Sequence, residues 1–173
     1  MTLSIGLSDP EAPGKGVKMK EGDLSRFDIG AIYKGYYSDV SRHAILGDIP
    51  PDIQEAFEAT LYMQQAYVDA MKPGVSVAEV HKVAQEAYES TGREETVFTT
   101  LHSLGLQCEE FHFVDPLRGP ANRNFEANMV LDIEVWTMHP ECGLLGNEDT
   151  YIVTKGGCDR MSTLERRIFS VEK

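Results

Sequence analysis

The stretch FDIGAIYKGYYSDVSR, Phe27 to Arg42, decides how the rest of the chain is read. Phe27, Ile29, Ala31 and Tyr33 alternate with other residues until Lys34-Gly35, a dipeptide that suits a two-residue hairpin turn. A turn of that length sets the register, with Tyr33 facing Tyr36, Gly30 facing Asp39 and Asp28 facing Ser41. Asp28 and Gly30 then point to one face, and Asp39 stands across from Gly30. The two carboxylates become diagonal neighbours within reach of a shared cation, and Gly30 leaves space between them. Phe27, Ile29, Ala31 and Val40 fall on the opposite face and read as core. Adjacent acids on a covered sheet repel each other and lose hydration, which is costly unless a positive charge compensates. On an open face they are merely solvated, so the hairpin alone leaves both readings standing.

The chain has 173 residues, 42% hydrophobic and 25% charged, the values of a single globular domain that can bury a core. Its formal net charge of −12 argues against nucleic acid or an anionic membrane as partner. No apolar run reaches membrane-spanning length, and the N-terminus lacks the basic and apolar segments of a secretory signal. Cys108, Cys142 and Cys158 are odd in number and widely spaced, which fits a reducing, cytoplasmic location.

Residues 1–21 are rich in Gly, Pro and Lys and read as a loop or extension, followed by one domain over residues 22–173. An amphipathic helix is expected over Asp52 to Met71, with Ile53, Phe57, Leu61, Tyr67, Val68 and Met71 near one stripe. Ser76 and Glu79 form the capping-box pattern of a second helix that turns Val77, Val80, Ala84 and Ala87 inward and stops at Gly92. Short strands follow in TVFTTLHSLGL, FHFVDP, NMVLDIEVWTM and NEDTYIVTKGG. This order predicts an α+β fold with a curved antiparallel sheet covered by helices.

Acids recur in these strands. Glu134 interrupts an apolar strand that carries Asp132, Glu134 and Trp136 on one face, Glu148 opens the next, and His102 sits where a strand meets a turn. Singly, such a histidine is more often structural and such a glutamate solvated. Together with Asp28 and Asp39 they form a donor set suited to two divalent ions of intermediate hardness, with a shared water between them.

The segments GDLSRFDIGAIYKGYYSDVSR, LHSLGL, MVLDIEV and NEDTYIVTKGG resemble the consecutive motifs of the pita-bread metallopeptidases. That family includes methionine aminopeptidase, Xaa-Pro aminopeptidase and prolidase, with creatinase as a metal-free relative. The resemblance implies that Asp28 binds one metal through both oxygens and that Asp39 and Glu148 bridge two ions. His102 and Glu134 would bind the second ion, and Glu134 would also handle the proton of the attacking water. It further implies manganese or cobalt, with zinc or iron as alternatives, and hydrolysis of a small peptide after its N-terminal residue, often before proline. The same centre on a small non-peptide substrate, as hydrolase or lyase, and a non-catalytic binding domain or inactive fragment of this fold are the alternatives.

The chain departs from the family pattern in several places. HSLGLQCEE puts Glu109 where members carry a second histidine, and His112 is the nearby imidazole that would replace it in space. No histidine precedes His43, where members hold one upstream of the first ligand aspartate, and Val135 stands where they have proline. The resemblance begins near Gly22, so the first half of the two-part fold is expected to be incomplete. The sheet edge left uncovered favours a homodimer.

Overall fold

The computed structural model describes residues 2–5 and 18–172. Strand β1 (Thr2–Ile5) pairs antiparallel with β2 (Leu24–Tyr33), so the start of the expected loop is instead an edge strand. Residues 6–17, which fall within that expected loop, lie outside the described residues. β2 and β3 (Tyr36–Leu46) form the hairpin with Tyr33 opposite Tyr36, Gly30 opposite Asp39 and Asp28 opposite Ser41. Lys34 and Gly35 both have positive φ, 52° and 87°, the turn whose twist matches that of the strands.

Helix α1 (Pro51–Ala70) starts with a proline whose missing N–H costs nothing there. Ser76 Oγ accepts the Glu79 N–H at 3.2 Å and caps α2 (Val77–Glu89). The remaining strands are β4 (Val97–Ser103), β5 (Phe111–Asp115), β6 (Gly119–Pro120), β7 (Val130–His139), β8 (Gly143–Val153), β9 (Cys158–Arg160) and β10 (Ile168–Val171). They form one sheet in the order β1-β2-β3-β8-β7-β4-β5-β6, with β9 antiparallel on β8 and β10 parallel on β3.

Both helices cover one face of this sheet. Leu131, Ile133 and Val135 of β7 are fully buried in a cluster with Met63, Tyr67, Val80 and Ala84. A smaller cluster joins Leu24, Ile45 and Ile168 to Ile53 and Phe57 at the start of α1. Leu61 packs half-buried against this cluster and Val68 against the larger one, while Thr60 and Gln64 are buried polar members of the helix face. Ala87 is half-buried too, and Tyr88 fills the inward position at that end of α2. No helix among the described residues is long and apolar enough to cross a membrane.

One expectation fails on the outer hairpin. Ile29 is 38% exposed, Ala31 is exposed, and Phe27 and Val40 are only half-buried, so their face is not core. Helix α1 lies against β7 and β8 and α2 against β5 and β6, and no described helix reaches the hairpin's outer half.

A buried polar seam ties the chain's last segment to the sheet. Arg42 donates through Nη2 to Asp149 Oδ1 at 2.6 Å and through Nη1 to the Glu148 carbonyl at 2.8 Å. Its guanidinium also holds the carbonyls of Glu165 and Leu164, at 2.8 Å and 2.9 Å. Gln64 reaches across from α1, donating to the Ile133 carbonyl at 2.9 Å and accepting from Asn147 Nδ2 at 2.6 Å. Removing one member of a buried ion pair strands the other charge. Arg42→Ala should therefore cost about 3–5 kcal/mol in urea unfolding. Lys82→Ala, which removes an exposed helix pair, should change stability by less than about 0.5 kcal/mol.

Candidate metal centre

Directly paired residues of an antiparallel sheet share a face, so the registers assemble side chains in rows. In one row Asp28 stands opposite Ser41, Ser41 opposite Glu148, Glu148 opposite Glu134, and Glu134 opposite Thr100. In the next, Gly30 faces Asp39, while Thr150 faces Asp132, Asp132 faces His102, and His102 faces His112. Thr150 Oγ1 joins the two parts of that row, lying 2.9 Å from the Asp39 carbonyl oxygen and 2.8 Å from Asp132 Oδ2, with its single proton shared between them. This face is opposite the one that carries Leu131, Ile133 and Val135 into the helices.

The five expected ligand residues are brought together there. Asp39, His102 and Glu148 each offer a ligand atom, all within 4.8 Å of one another. Asp28 stands near enough to Asp39 to feel its charge and pairs with Arg26 Nη1 at 3.1 Å. Glu134 Oε1 lies 3.2 Å from His102 Nε2. Glu109 and His112 stand beside the group on its exposed rim, paired to each other at 2.9 Å, and the His112 ring is 6.0 Å from that of His102.

The electrostatics of this cluster are unbalanced. Burial, then the Asp39 charge, pushes the Asp28 carboxyl up to about 6 against the pull of Arg26. Burial likewise raises Asp39, although its bond from Cys108 and the nearby His102 oppose the shift. Glu148 is held well above the usual carboxylate range by burial and by the charges of Asp132, Glu134, Asp39 and Asp28. Burial works to lower the His102 imidazole, but Glu134's hydrogen bond and charge raise it to about 9. Ser41 Oγ, Asp132 Oδ1 and Glu148 Oε2 are buried without a hydrogen-bond partner among the described residues. Buried carboxylate oxygens are ordinarily paired, so orphans clustered beside an imidazole are what a cation site leaves when only its protein donors are counted. A carboxylate-rich set with one imidazole fits divalent ions of intermediate hardness.

A supporting layer orients the donors. Trp136 Nε1 donates to Glu134 Oε2 at 2.8 Å, and the Arg26 guanidinium lies 5.2 Å over the Trp136 ring while it pairs with Asp28. Gly146 makes room for this ring, since a Cβ there would lie 2.6 Å from Trp136 Cε3 and 2.0 Å from the Val135 carbonyl oxygen. The loop after β4 reaches back over the same face, where Tyr37 N–H donates to the Gly105 carbonyl at 2.8 Å. Since β7 and β8 lie between β4 and β3, this bond requires the sheet to curl around its acidic face.

Two further residues belong to the site. Asp132 is fully buried and, like Glu148, raised well above its usual range, first by burial. The alternation of β7 already placed it on Glu134's face, and that is the signal that could have found it. Cys108 Sγ donates to Asp39 Oδ2 at 2.9 Å, and burial with the Asp39 bond pushes its thiol up to about 12. No local pattern marks Cys108, because its neighbour is far away in sequence. Asp28, Asp39, Cys108 and Glu109 line an open cleft of about 350 Å³ together with Gly30, Ile32 and Tyr37.

The profile of metallopeptidase family M24 matches residues 8–155. The Xaa-Pro dipeptidase of Pyrococcus furiosus is 28% identical over 160 residues, which cover 92% of this chain and 45% of that protein. A putative dipeptidase of Bacillus subtilis, YkvY, is 33% identical over 80% of this chain and 38% of its own length. Among solved structures, dipeptidase PepE from Mycobacterium ulcerans superposes with a TM-score of 0.86 at 29% identity, over 99% of this chain and 47% of that one. The chain thus spans less than half the length of these relatives.

The raised groups set the pH response of the metal-free chain. Where native Asp28 and His102 hold protons that the unfolded chain has released, stability falls as pH rises. The windows run from 3.8 to about 6 for Asp28 and from 6.5 to about 9 for His102. Burial lowers His43 from 6.5 to about 3 and opposes this trend below pH 6.5, so the thermal midpoint of chelator-treated protein should drop between about pH 7 and pH 8.5. Adding Mn²⁺ or Co²⁺ should remove most of that slope. A midpoint that rises with pH in the chelator would contradict this account.

Proposed function

The chain belongs to metallopeptidase family M24 and has the pita-bread fold, and from that footing we propose that it carries the dinuclear centre of an Xaa-Pro dipeptidase. The observation that carries this reading is the meeting of Asp39, His102 and Glu148 within 4.8 Å, flanked by Asp28 and Glu134. Asp28 would hold one ion through both oxygens, Asp39 and Glu148 would bridge, and His102 with Glu134 would hold the second. Bound there, two divalent ions, manganese or cobalt before zinc or iron, would supply Lewis acidity toward a water and toward the scissile carbonyl.

The chain's own residues do the rest. Glu134, fixed at Oε2 by Trp136, accepts the proton of the attacking water and passes it to the leaving amine. His112 lies on the same face and would donate a hydrogen bond to the tetrahedral oxyanion, with Glu109 orienting its ring. Glu109 at the mouth of the cleft also supports a second reading, in which the same centre acts on a small non-peptide substrate. A homodimer belongs to the proposal, motivated by the exposed apolar residues Ile29, Ile32, Tyr33 and Tyr36 on the hairpin. A cytoplasmic location agrees with three free cysteines.

Incubated with Mn²⁺ or Co²⁺ and a panel of Xaa-Pro dipeptides, the purified chain should release free proline. Glu134→Gln should slow that release by about 10²–10⁴-fold while leaving the fold intact. Full metal occupancy without turnover of any Xaa-Pro dipeptide would remove the peptidase reading. Activity on a metabolite panel that Glu109→Gln abolishes would favour the second.

A further inference from the structure

We infer that Cys108 is a sulfur ligand of this centre, binding alongside Asp39 and biasing the site toward thiophilic divalent ions such as Co²⁺, Zn²⁺ or Cd²⁺. The inference rests on the metal-binding reading above but not on any peptidase activity.

The geometry is already close to that of a ligand pair. Metal–sulfur and metal–oxygen bonds are roughly 2.3 Å and 2.1 Å long, so two such donors on one ion stand roughly 3.1 Å apart at a right angle and roughly 3.6 Å apart in a tetrahedron. Cys108 Sγ lies 2.9 Å from Asp39 Oδ2, so sulfur and oxygen need separate by only a few tenths of an ångström. Asp39 is also a member of the trio whose ligand atoms lie within 4.8 Å. That trio contains Glu148, 2% exposed, whose Oε2 is buried without a partner among the described residues. The thiol therefore stands over a site that a second observation marks as short of a cation.

The loop that presents the thiol is braced rather than slack. Glu110 Oε1 accepts the N–H groups of Leu106 at 2.7 Å and Gln107 at 3.3 Å, while the Glu110 N–H donates to the Ser103 carbonyl at 2.9 Å. Gly105 lets this carboxylate in close, since a Cβ there would lie 3.0 Å from Glu110 Oε1. The Tyr37–Gly105 backbone bond then fastens the loop to the start of β3, two residues before Asp39.

Coordination breaks the Sγ–H bond and forms an Sγ–metal bond, and the proton leaves to solvent. The other two cysteines serve as internal controls. Cys142 is buried with Leu145 and Phe57, and Cys158 donates to the Val68 carbonyl at 3.4 Å, both on the helix side of the molecule.

The test is a Co²⁺ titration of chelator-stripped protein, followed in the near ultraviolet and by metal analysis. A sulfur-to-cobalt charge-transfer band should grow to saturation, disappear in Cys108→Ser, and persist in Cys142→Ser and Cys158→Ser. In the unsubstituted chain Cd²⁺ should protect Cys108 from alkylation, a readout that does not depend on a variant folding. Cys108→Ser should also weaken Cd²⁺ binding at least tenfold more than Mn²⁺ binding. Cobalt retained with no such band, or a band that survives in Cys108→Ser, overturns the sulfur ligand and leaves the metal centre standing. Failure of the chain to retain cobalt at all overturns both.

Discussion

The structure depends on the antiparallel register that joins β2, β3, β8, β7 and β4. Side chains along a strand alternate, and paired residues share a face, so once Tyr33 is set opposite Tyr36 and Ser41 opposite Glu148 the acids have nowhere else to point. A slip of one residue in any of these pairings would turn the slipped strand's donors to the opposite face. The apolar residues of β7 prevent that slip, because Leu131, Ile133 and Val135 must stay on the helix side. Burial of those residues is thus what holds mutually repelling carboxylates together on the other face.

This arrangement places charge where folding alone would not put it. Asp28, Asp39, Asp132 and Glu148 are all displaced upward, burial being the first cause in each case. Arg26 and Trp136 reduce the conflict only locally, by holding Asp28 and Glu134 in fixed orientations. By contrast, the opposite face carries a buried acid that is satisfied: Asp149 is bound by Arg42 and by the Ser162 hydroxyl. The two sides of one sheet therefore show the difference between an acid neutralised by an arginine and acids crowded together in a buried cluster.

Much of the site could be read in the chain because its determinants are local. Lys34-Gly35 gave the hairpin register, and an acid in an apolar strand singled out Glu134. Elements that depend on distant partners were harder. Nothing in Phe27, Ile29, Ala31 and Val40 says what covers them, and their half-exposed state depends on where the helices land. Arg42, Gln64 and Asn147 look like surface residues until α1 and residues 160–166 close over them. Cys108 became part of the centre only through a loop that crosses the curled sheet. Asp132 was legible by alternation, and its weight came from the burial that β4 and β8 impose on it.

The most direct test of the account is the number of divalent ions held per chain after equilibration with Co²⁺ or Mn²⁺ and removal of excess. Convergence of acids from four strands with a single imidazole predicts two ions, with at most one retained when Asp39 or Glu148 is replaced by alanine. A chain that keeps no stoichiometric metal, or keeps two despite either replacement, would contradict it.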